Sequence, residues 1–323
     1  MDRIDIYISV NDMIKLFTVT TPIGKLEVSS NPAEDDSYRF FINLKNLFFT
    51  KSTIHLDSLS LFKNSDNKII EHFRKLAGTY VKIIDFDTFE YLDDEEYQTV
   101  FKPNIIQFRK AAKLDKNKGF LKISCDDDVM EKSKSIFDAH VVTTFKNDMQ
   151  NKFSDWSMLQ QIKLPSNSVI IADYYILKED GIKNLLSILK NIIPTQIESS
   201  FPFHITILGN EGEVRTNNLE LLKEFIRSKS NIYLNIYSMS KIELHDRFVI
   251  SNYWFLNIGH SMDLLNNQGN IKGNKNTSIF IHGFAGHASS LYFDLLKYTK
   301  SIIGNKSPFY TSFPPKSKNR LLY

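Results

Sequence analysis

Short apolar runs alternate with turn-forming residues along the first part of the chain, a pattern typical of β-strands. The runs are RIDIYISV, IKLFTVTT, GKLEVSS and YRFFINLKNLFF, all rich in β-branched or aromatic residues. One later segment, NKIIEHFRKLAGTYV, instead has apolar residues at helical spacing. We therefore expect residues 1–160 to form a β-rich α+β domain whose role the sequence does not indicate.

Beyond residue 160 the pattern changes to apolar runs that alternate with amphipathic segments. The runs VIIADYYIL, FHITILG and NIYLNIYS are separated by GIKNLLSILKNII and NNLELLKEFIRSKS. A strand–helix–strand order favours parallel pairing with right-handed crossovers. The runs RFVIS and YWFLNIG follow almost directly and are expected to form a hairpin. We predict an α/β domain over residues 161–323, with a mixed sheet flanked by helices.

Composition narrows the class of protein. Hydrophobic residues make up 42% and charged residues 24% of the 323 residues, as in ordinary globular proteins. Cys125 is the single cysteine, so an intrachain disulfide is impossible and a reducing, cytoplasmic location is expected. No apolar run approaches the length of a membrane span.

Charge is unevenly distributed between the two predicted domains. Residues 1–160 contain 22 basic and 25 acidic residues, whereas residues 161–323 contain 18 basic and 12 acidic residues. The second domain is therefore mildly basic, which suits a partner that carries phosphate groups.

The segment HDRFVISN contains the strongest chemical signal in the chain. His245 and Arg247 lie two residues apart, so both project from the same face of an extended strand. A guanidinium can hold two phosphate oxygens at once, and an imidazole can attack phosphorus or transfer a proton. The pair therefore indicates a phosphate site.

The segment that follows the predicted hairpin turn adds polar groups to this site. Gly259, Ser261 and Asp263 come at the end of the second hairpin strand, where they can meet the first pair. A small residue, a hydroxyl and an acid at that position would complete an anion cradle. Glu243 shares the face of His245, and it is the better placed carboxylate to orient that imidazole.

These residues resemble the motif of the phospholipase D superfamily, which is a His, any residue, a Lys, four residues and an Asp, followed by Gly-Ser and an Asn. The matching positions here are His245, Arg247, Asn252, Gly259, Ser261 and Asp263. The sequence is similar to the variant phospholipase D-like domain found C-terminal to microtubule-interacting-and-trafficking modules, and to its bacterial relatives. The likeness covers roughly residues 165–300.

The resemblance implies a metal-independent phosphodiesterase without a cofactor. His245 would be the nucleophile or general base, Arg247 would clamp the phosphate, and Ser261 and Asn252 would donate hydrogen bonds. Asp263 and Glu243 would orient His245 or its partner, and His260 and His287 would contact substrate. The Asn252 side chain, which replaces the motif's Asp, cannot orient a histidine as an anion would.

Active members of the superfamily use two such motifs, and this chain has one clear copy. Either two subunits meet as a homodimer and contribute one motif each, or the domain binds without cutting. His204 is the alternative second histidine within the chain. His282 and His287 are too loosely spaced to predict a metal site.

The sequence-based hypothesis is therefore a nuclease acting on DNA or RNA, with a role in bacterial defence suggested by the bacterial relatives. The alternative is a non-catalytic module that binds phosphoinositides in membrane phospholipid, or nucleic acid, through the same phosphate cradle. An interaction protein with a vestigial pocket is a third possibility.

Overall fold

A computed structural model describes residues 4–20, 36–50, 52–76, 82–85, 105–109, 121–125, 134–145, 152–162, 164–214, 216–273, 276–286, 288–304, 306–314 and 318–322. The chain separates into two compact units, with the described residues up to 137 in the first and those from 138 onward in the second. The sequence had placed this boundary near residue 160. The strand Ala139–Thr143 belongs to the sheet of the second unit, because it pairs with a strand near residue 280.

The described residues of the first unit alternate between strands and helices. The strands are β1 (Ile4–Ile8), β2 (Ser52–Leu56), β3 (Lys82–Asp85), β4 (Ile105–Arg109) and β5 (Leu121–Ser124). The helices are α1 (Val10–Thr20), α2 (Asp36–Thr50), α3 (Leu59–Asn64) and α4 (Lys68–Leu76). The strands pair in parallel in the order β3-β2-β1-β4-β5.

Alternation along β1 gives the first sheet one apolar and one polar face. The apolar face lies with the helices α1, α2 and α4, whose Phe17, Phe48 and Phe73 rings pack edge to face. On the polar face the Nε2 atom of His55 lies 2.7 Å from Oδ1 of Asp5, and the His55 ring stacks on Tyr7. All three side chains are buried, and burial, followed by the charge of Asp5, raises the pKa of Tyr7.

The prediction that residues 1–160 are rich in β-strands is wrong for two of these segments, which are helices. The runs IKLFTVTT and YRFFINLKNLFF were predicted as strands, but the described residues of both lie in helices, α1 and α2 respectively. Their buried positions explain the difference: Phe40, Leu44, Leu47 and Phe48 recur at the 3.6-residue period of a helix. RIDIYISV contains β1 and NKIIEHFRKL forms α4 as expected, whereas GKLEVSS lies outside the described residues.

The second unit has an α/β fold with a mixed sheet flanked by helices, as the sequence predicted. Its strands are β6 (Ala139–Thr143), β7 (Ser168–Ala172), β8 (Phe203–Gly209), β9 (Ile232–Ser238), β10 (Arg247–Ser251), β11 (Trp254–Ile258), β12 (Ser278–Gly283) and β13 (Tyr310–Thr311). Its helices are α5 (Glu179–Ile192), α6 (Thr216–Arg227) and α7 (Ser289–Ile303). None of the described helices is both long and apolar enough to cross a membrane.

The sheet of the second unit runs in the order β13-β9-β8-β7-β10-β11-β12-β6. The strands β7, β8 and β9 are parallel, because α5 and α6 return the chain between them. The strands β10 and β11 form the predicted hairpin, and β10 pairs antiparallel with β7. The helix α7 covers the face that presents Phe255, since Tyr292 contacts that ring.

The ends of the parallel strands define two edges of this sheet. The carboxyl edge is where β7, β8 and β9 end, and the amino edge is where they begin. Because β10 runs antiparallel to β7, the start of β10 lies at the carboxyl edge and its end lies at the amino edge. Ligands of open α/β sheets bind at the carboxyl edge.

His204, the candidate second histidine, lies at the amino edge. It is the second residue of β8 and pairs with Ser168 at the start of β7. Its Nδ1 atom accepts a hydrogen bond from the Arg320 backbone N–H, which requires an unprotonated Nδ1. Burial, followed by the charge of Arg320, lowers the pKa of His204 to about 4.

We predict that His204 makes the protein less stable in mild acid. Between pH 6.5 and about 4 the unfolded chain takes up a proton at this position and the folded chain does not, so the free energy of unfolding falls as the pH falls. The loss at pH 4 is about 3 kcal/mol. Urea unfolding across this pH range should show it in the wild type and not in His204→Gln.

The matched control is His140→Gln, which removes an exposed histidine on β6. This control should keep the pH dependence of the wild type. If the free energy of unfolding fell equally with pH in wild type and in His204→Gln, the assignment of a buried neutral histidine would be contradicted.

Candidate functional site

His245 and Arg247 lie together at the carboxyl edge. His245 is exposed and lies two residues before β10, and Arg247 is the first residue of that strand and is half-buried. Among the residues that the structure describes, the buried Nε atom of Arg247 has no hydrogen-bond partner. A buried N–H without a partner carries a free-energy cost that an anionic ligand would remove.

Asp173 joins the end of β7 to the loop after β11. It follows the last residue of β7, one position beyond the Phe248–Ala172 ladder pair, so it lies opposite Arg247. Its Oδ2 atom accepts hydrogen bonds from the Ser261 hydroxyl at 2.7 Å and the Met262 N–H at 2.5 Å. Its Oδ1 atom accepts from the Tyr175 N–H at 2.9 Å.

The Asp173 carboxylate is completely buried, which is unusual for an acidic side chain. Burial raises the pKa of Asp173, and the hydrogen bonds from Ser261, Tyr175 and Met262 oppose that change. Within the described residues these hydrogen bonds all come from donors, an arrangement that matches the ionised form. Asp173 therefore fixes the loop after β11 against the end of β7.

Ser261 and Asp263, predicted to contact substrate or to orient His245, both take part in structural contacts. The hydroxyl hydrogen of Ser261 is donated to Asp173, and its oxygen lies 3.4 Å from the Asp263 N–H. Asp263 accepts from Lys272 at 3.0 Å, and Lys272 also lies 2.8 Å from Asp180 in the first turn of α5. Burial would lower the pKa of Lys272, but the two carboxylates raise it overall.

Glu243 lies in the turn that precedes His245, and its carboxylate is held by other groups. It accepts from Lys306 at 2.5 Å and from the Ser240 N–H at 2.9 Å. These contacts, with Lys306 first, lower the pKa of Glu243 to about 2. The Tyr298 hydroxyl of α7 donates to the Glu243 carbonyl, so the turn that carries His245 is fixed to α7.

Asn252 is not brought to the site. It follows the last residue of β10, at the amino edge, and is completely buried. Its side chain accepts from the N–H groups of Asn167 and Ser168 and donates to Asn167. Its carbonyl accepts from Tyr292. The structure therefore separates Asn252 from His245 by the length of β10 and gives it the role of joining β7, β10 and α7.

Of the other histidines in the sequence hypothesis, one lies near the site, one lies far from it and one is not described. His260 is exposed in the loop after β11, and continuing the β10–β11 register brings it toward His245. His204 is at the opposite edge and cannot serve as a second catalytic histidine within one chain. His287 lies outside the described residues. Within the described ranges, no three His, Cys, Asp or Glu side chains form a candidate metal cluster.

Sequence reasoning missed Asp173, Lys272 and Tyr298. Asp173 left a signal, because an acid directly after the apolar run VIIA marks the carboxyl end of a buried strand. Lys272 and Tyr298 left none, since their partners are close in space and not at a fixed sequence offset.

The geometry supports binding of an anion at the carboxyl edge. The exposed imidazole of His245 and the partly buried guanidinium of Arg247 are the groups that remain available, whereas Ser261, Asp263 and Glu243 are engaged. Such a pair can hold a phosphate and place a nucleophile or proton donor beside it.

Comparisons with known proteins do not identify the chain. No protein-family model matches it, and no curated protein matches it. An Argonaute structure from Aquifex aeolicus aligns with 96% of this chain at 10% sequence identity and a TM-score of 0.15. The chain spans 47% of that Argonaute, and at this TM-score the likeness supports no conclusion about fold or function.

We predict that Ser261→Ala destabilises the second unit by about 1–3 kcal/mol, because it removes a buried charge-assisted hydrogen bond to Asp173. The loss of that donor should also raise the pKa of Asp173 further. Urea denaturation measures the first effect. The control Ser301→Ala, on the exposed surface of α7, should change the free energy of unfolding by less than about 0.5 kcal/mol. Equal effects of the two substitutions would refute the role of Ser261.

Proposed function

We propose that the protein is a metal-independent phosphodiesterase that cleaves nucleic acid, with a phospholipase D-like site at the carboxyl edge of the second unit. The observation behind this proposal is the position of an exposed His245 beside an Arg247 whose buried Nε atom lacks a partner among the described residues. The motif resemblance is the further support.

In the proposed reaction Arg247 holds two non-bridging phosphate oxygens and reduces their negative charge. A nitrogen of His245 attacks phosphorus and forms a P–N bond, while the P–O bond to the leaving nucleoside breaks. The leaving oxygen takes a proton from a second acid. Water then gives a proton back to that second group and attacks phosphorus, so that the P–N bond breaks, the phosphate ester leaves and His245 is restored.

The second acid is proposed to be His245 of another copy of the chain. His204 is excluded as the second acid because it is buried at the opposite edge. His260 is close enough in register to contact the substrate. A twofold dimer would place two identical imidazoles on opposite sides of one phosphate.

In this proposal the other positions of the motif stabilise the structure around the site and do not contact the substrate. Ser261 and Asp263 shape the loop through Asp173 and Lys272, and Asn252 fixes the far end of β10. This division changes the sequence hypothesis, in which Ser261 and Asn252 touched the substrate.

Charge favours nucleic acid as the proposed substrate. Residues 161–323 have six more basic than acidic residues, and the backbone of nucleic acid binds to such surfaces through its phosphates. A DNA or RNA phosphodiester also contains the bond that the proposed reaction breaks.

A non-catalytic module that binds phosphoinositides or nucleic acid is the second candidate. The position of Glu243 favours it, because this carboxylate is engaged with Lys306 and Ser240 instead of being free to orient His245. Such a module would keep Arg247 for binding and would not need a reactive histidine.

We predict that purified protein cleaves single- or double-stranded DNA or RNA in the presence of EDTA. His245→Ala should lower the cleavage rate by about 1,000-fold, because the nucleophile is lost. Arg247→Ala should weaken binding of oligonucleotides by about 10- to 100-fold, because two charge-assisted hydrogen bonds are lost. Fluorescently labelled oligonucleotides report both quantities.

The controls are His140→Ala, at an exposed position on β6, and Arg227→Ala, at the end of α6 near the amino edge. Both should behave as wild type. If wild type and His245→Ala are equally inactive while Arg247→Ala still abolishes anion binding, the protein is the binding module and not the enzyme.

We also predict that the active form is a dimer. Light scattering during size-exclusion chromatography should give about twice the 37.5 kDa mass of the chain. Specific activity should rise with protein concentration until the dimer is saturated. A monomer that retains full activity would rule out a site completed by a second His245.

A further inference from the structure

Two tyrosines follow Asp173 at the carboxyl edge, and the proposed reaction does not use them. Tyr174 and Tyr175 pack edge to face, with ring centroids 4.9 Å apart and an angle of 88° between the planes. Both side chains are partly exposed. The Nζ atom of Lys178 lies 4.4 Å from the centroid of the Tyr175 ring, a cation–π contact.

The backbone of this segment, the tyrosine turn (residues 173–178), is firmly held. The Tyr175 N–H donates to Asp173, and the Ile176 and Lys178 N–H groups donate to Asp173 and Tyr175 carbonyls. Gly181 of α5 packs so closely that an added Cβ would lie 2.4 Å from the Tyr175 carbonyl oxygen. The rings therefore lose little conformational freedom when a ligand packs on them.

The Tyr174 ring has an additional restraint. Its hydroxyl oxygen accepts a hydrogen bond of 2.8 Å from Nδ2 of Asn210, which follows the end of β8. The ring is thus anchored at its polar end, although part of its surface remains exposed to solvent.

The tyrosine turn lies next to the proposed phosphate site. Because Phe248 pairs with Ala172, Asp173 is in register with Arg247, and Tyr174 lies one residue further along the chain. The same Asp173 carboxylate binds both the turn, through Tyr175, and the loop after β11, through Ser261. Aromatic rings therefore occur on one edge of one sheet with a guanidinium nitrogen that has no partner among the described residues.

We propose that the tyrosine turn stacks against bases of single-stranded nucleic acid whose phosphate is bound by Arg247. This inference rests on the proposed function and specifies its substrate. Aromatic rings beside cationic side chains bind single strands, because unpaired bases expose their faces for stacking. The bases of a duplex are stacked on one another and do not offer those faces. Lys178 adds a second cation for the backbone.

Fluorescence anisotropy on the His245→Ala protein tests this inference without cleavage. The probes are a labelled single-stranded oligo(dT) of about 12 nucleotides and a labelled duplex of the same length. The single strand should bind about 10-fold more tightly than the duplex. Tyr174→Ala should weaken binding of the single strand by about 10-fold, and Tyr174→Phe, which keeps the ring, by less than about 2-fold.

Tyr310→Ala is the matched control. Tyr310 lies on β13 at the far end of the strand order, and Lys223 lies over its ring at 5.0 Å, so it resembles the Tyr175–Lys178 pair in chemistry but not in place. This variant should bind the single strand as tightly as its parent. Equal affinity for single strand and duplex, or no effect of Tyr174→Ala, would overturn the inference.

The two proposals can fail separately. If the protein with an intact His245 cleaves single strands and Tyr174→Ala binds and cleaves them as well as the parent does, base stacking is refuted and the phosphodiesterase stands. If neither oligonucleotide binds or is cleaved, and vesicles of phosphatidylcholine with phosphatidylinositol phosphate bind instead, both proposals fall.

Discussion

The buried carboxylate of Asp173 is the interaction on which the carboxyl edge depends. Its hydrogen bonds to Ser261, Met262 and Tyr175 join two loops that are almost ninety residues apart in sequence. A buried carboxyl group depends on the hydrogen bonds that its neighbours supply. The loops are therefore held in one arrangement, and the histidine and arginine at the start of β10 lie between them.

The two edges of the second sheet have different chemistry. At the amino edge Asn252 and the neutral His204 are buried and satisfied by backbone groups. At the carboxyl edge His245 is exposed and Arg247 has a buried nitrogen that the described residues do not satisfy. A motif that is contiguous in sequence is thus divided by β10 into an end that supports the sheet and an end that faces solvent.

The sequence was most informative where the apolar pattern was unambiguous. The strands β7 to β11 and the helices α5 and α6 follow from it, because buried strands and amphipathic helices differ clearly in periodicity. In α2, Phe40, Leu44 and Phe48 lie in an aromatic-rich run that resembles a strand, although their spacing is that of a helix. For the site, strand alternation predicted that His245 and Arg247 share one face, but β10 begins only at Arg247. Alternation could not show that Glu243 binds Lys306 or that Asn252 lies a strand length away, since those facts depend on tertiary contacts.

The hairpin between β10 and β11 has a consequence for how this protein can vary. Connections between strands normally face solvent and tolerate extra residues. Here Asn252 and Tyr253 form the connection, and neither is exposed to any measurable degree. Insertions, peptide tags or new chain termini at this point would separate the hairpin from α7, whose Tyr292 binds it. Length changes are better accommodated in the open turn near Gly269.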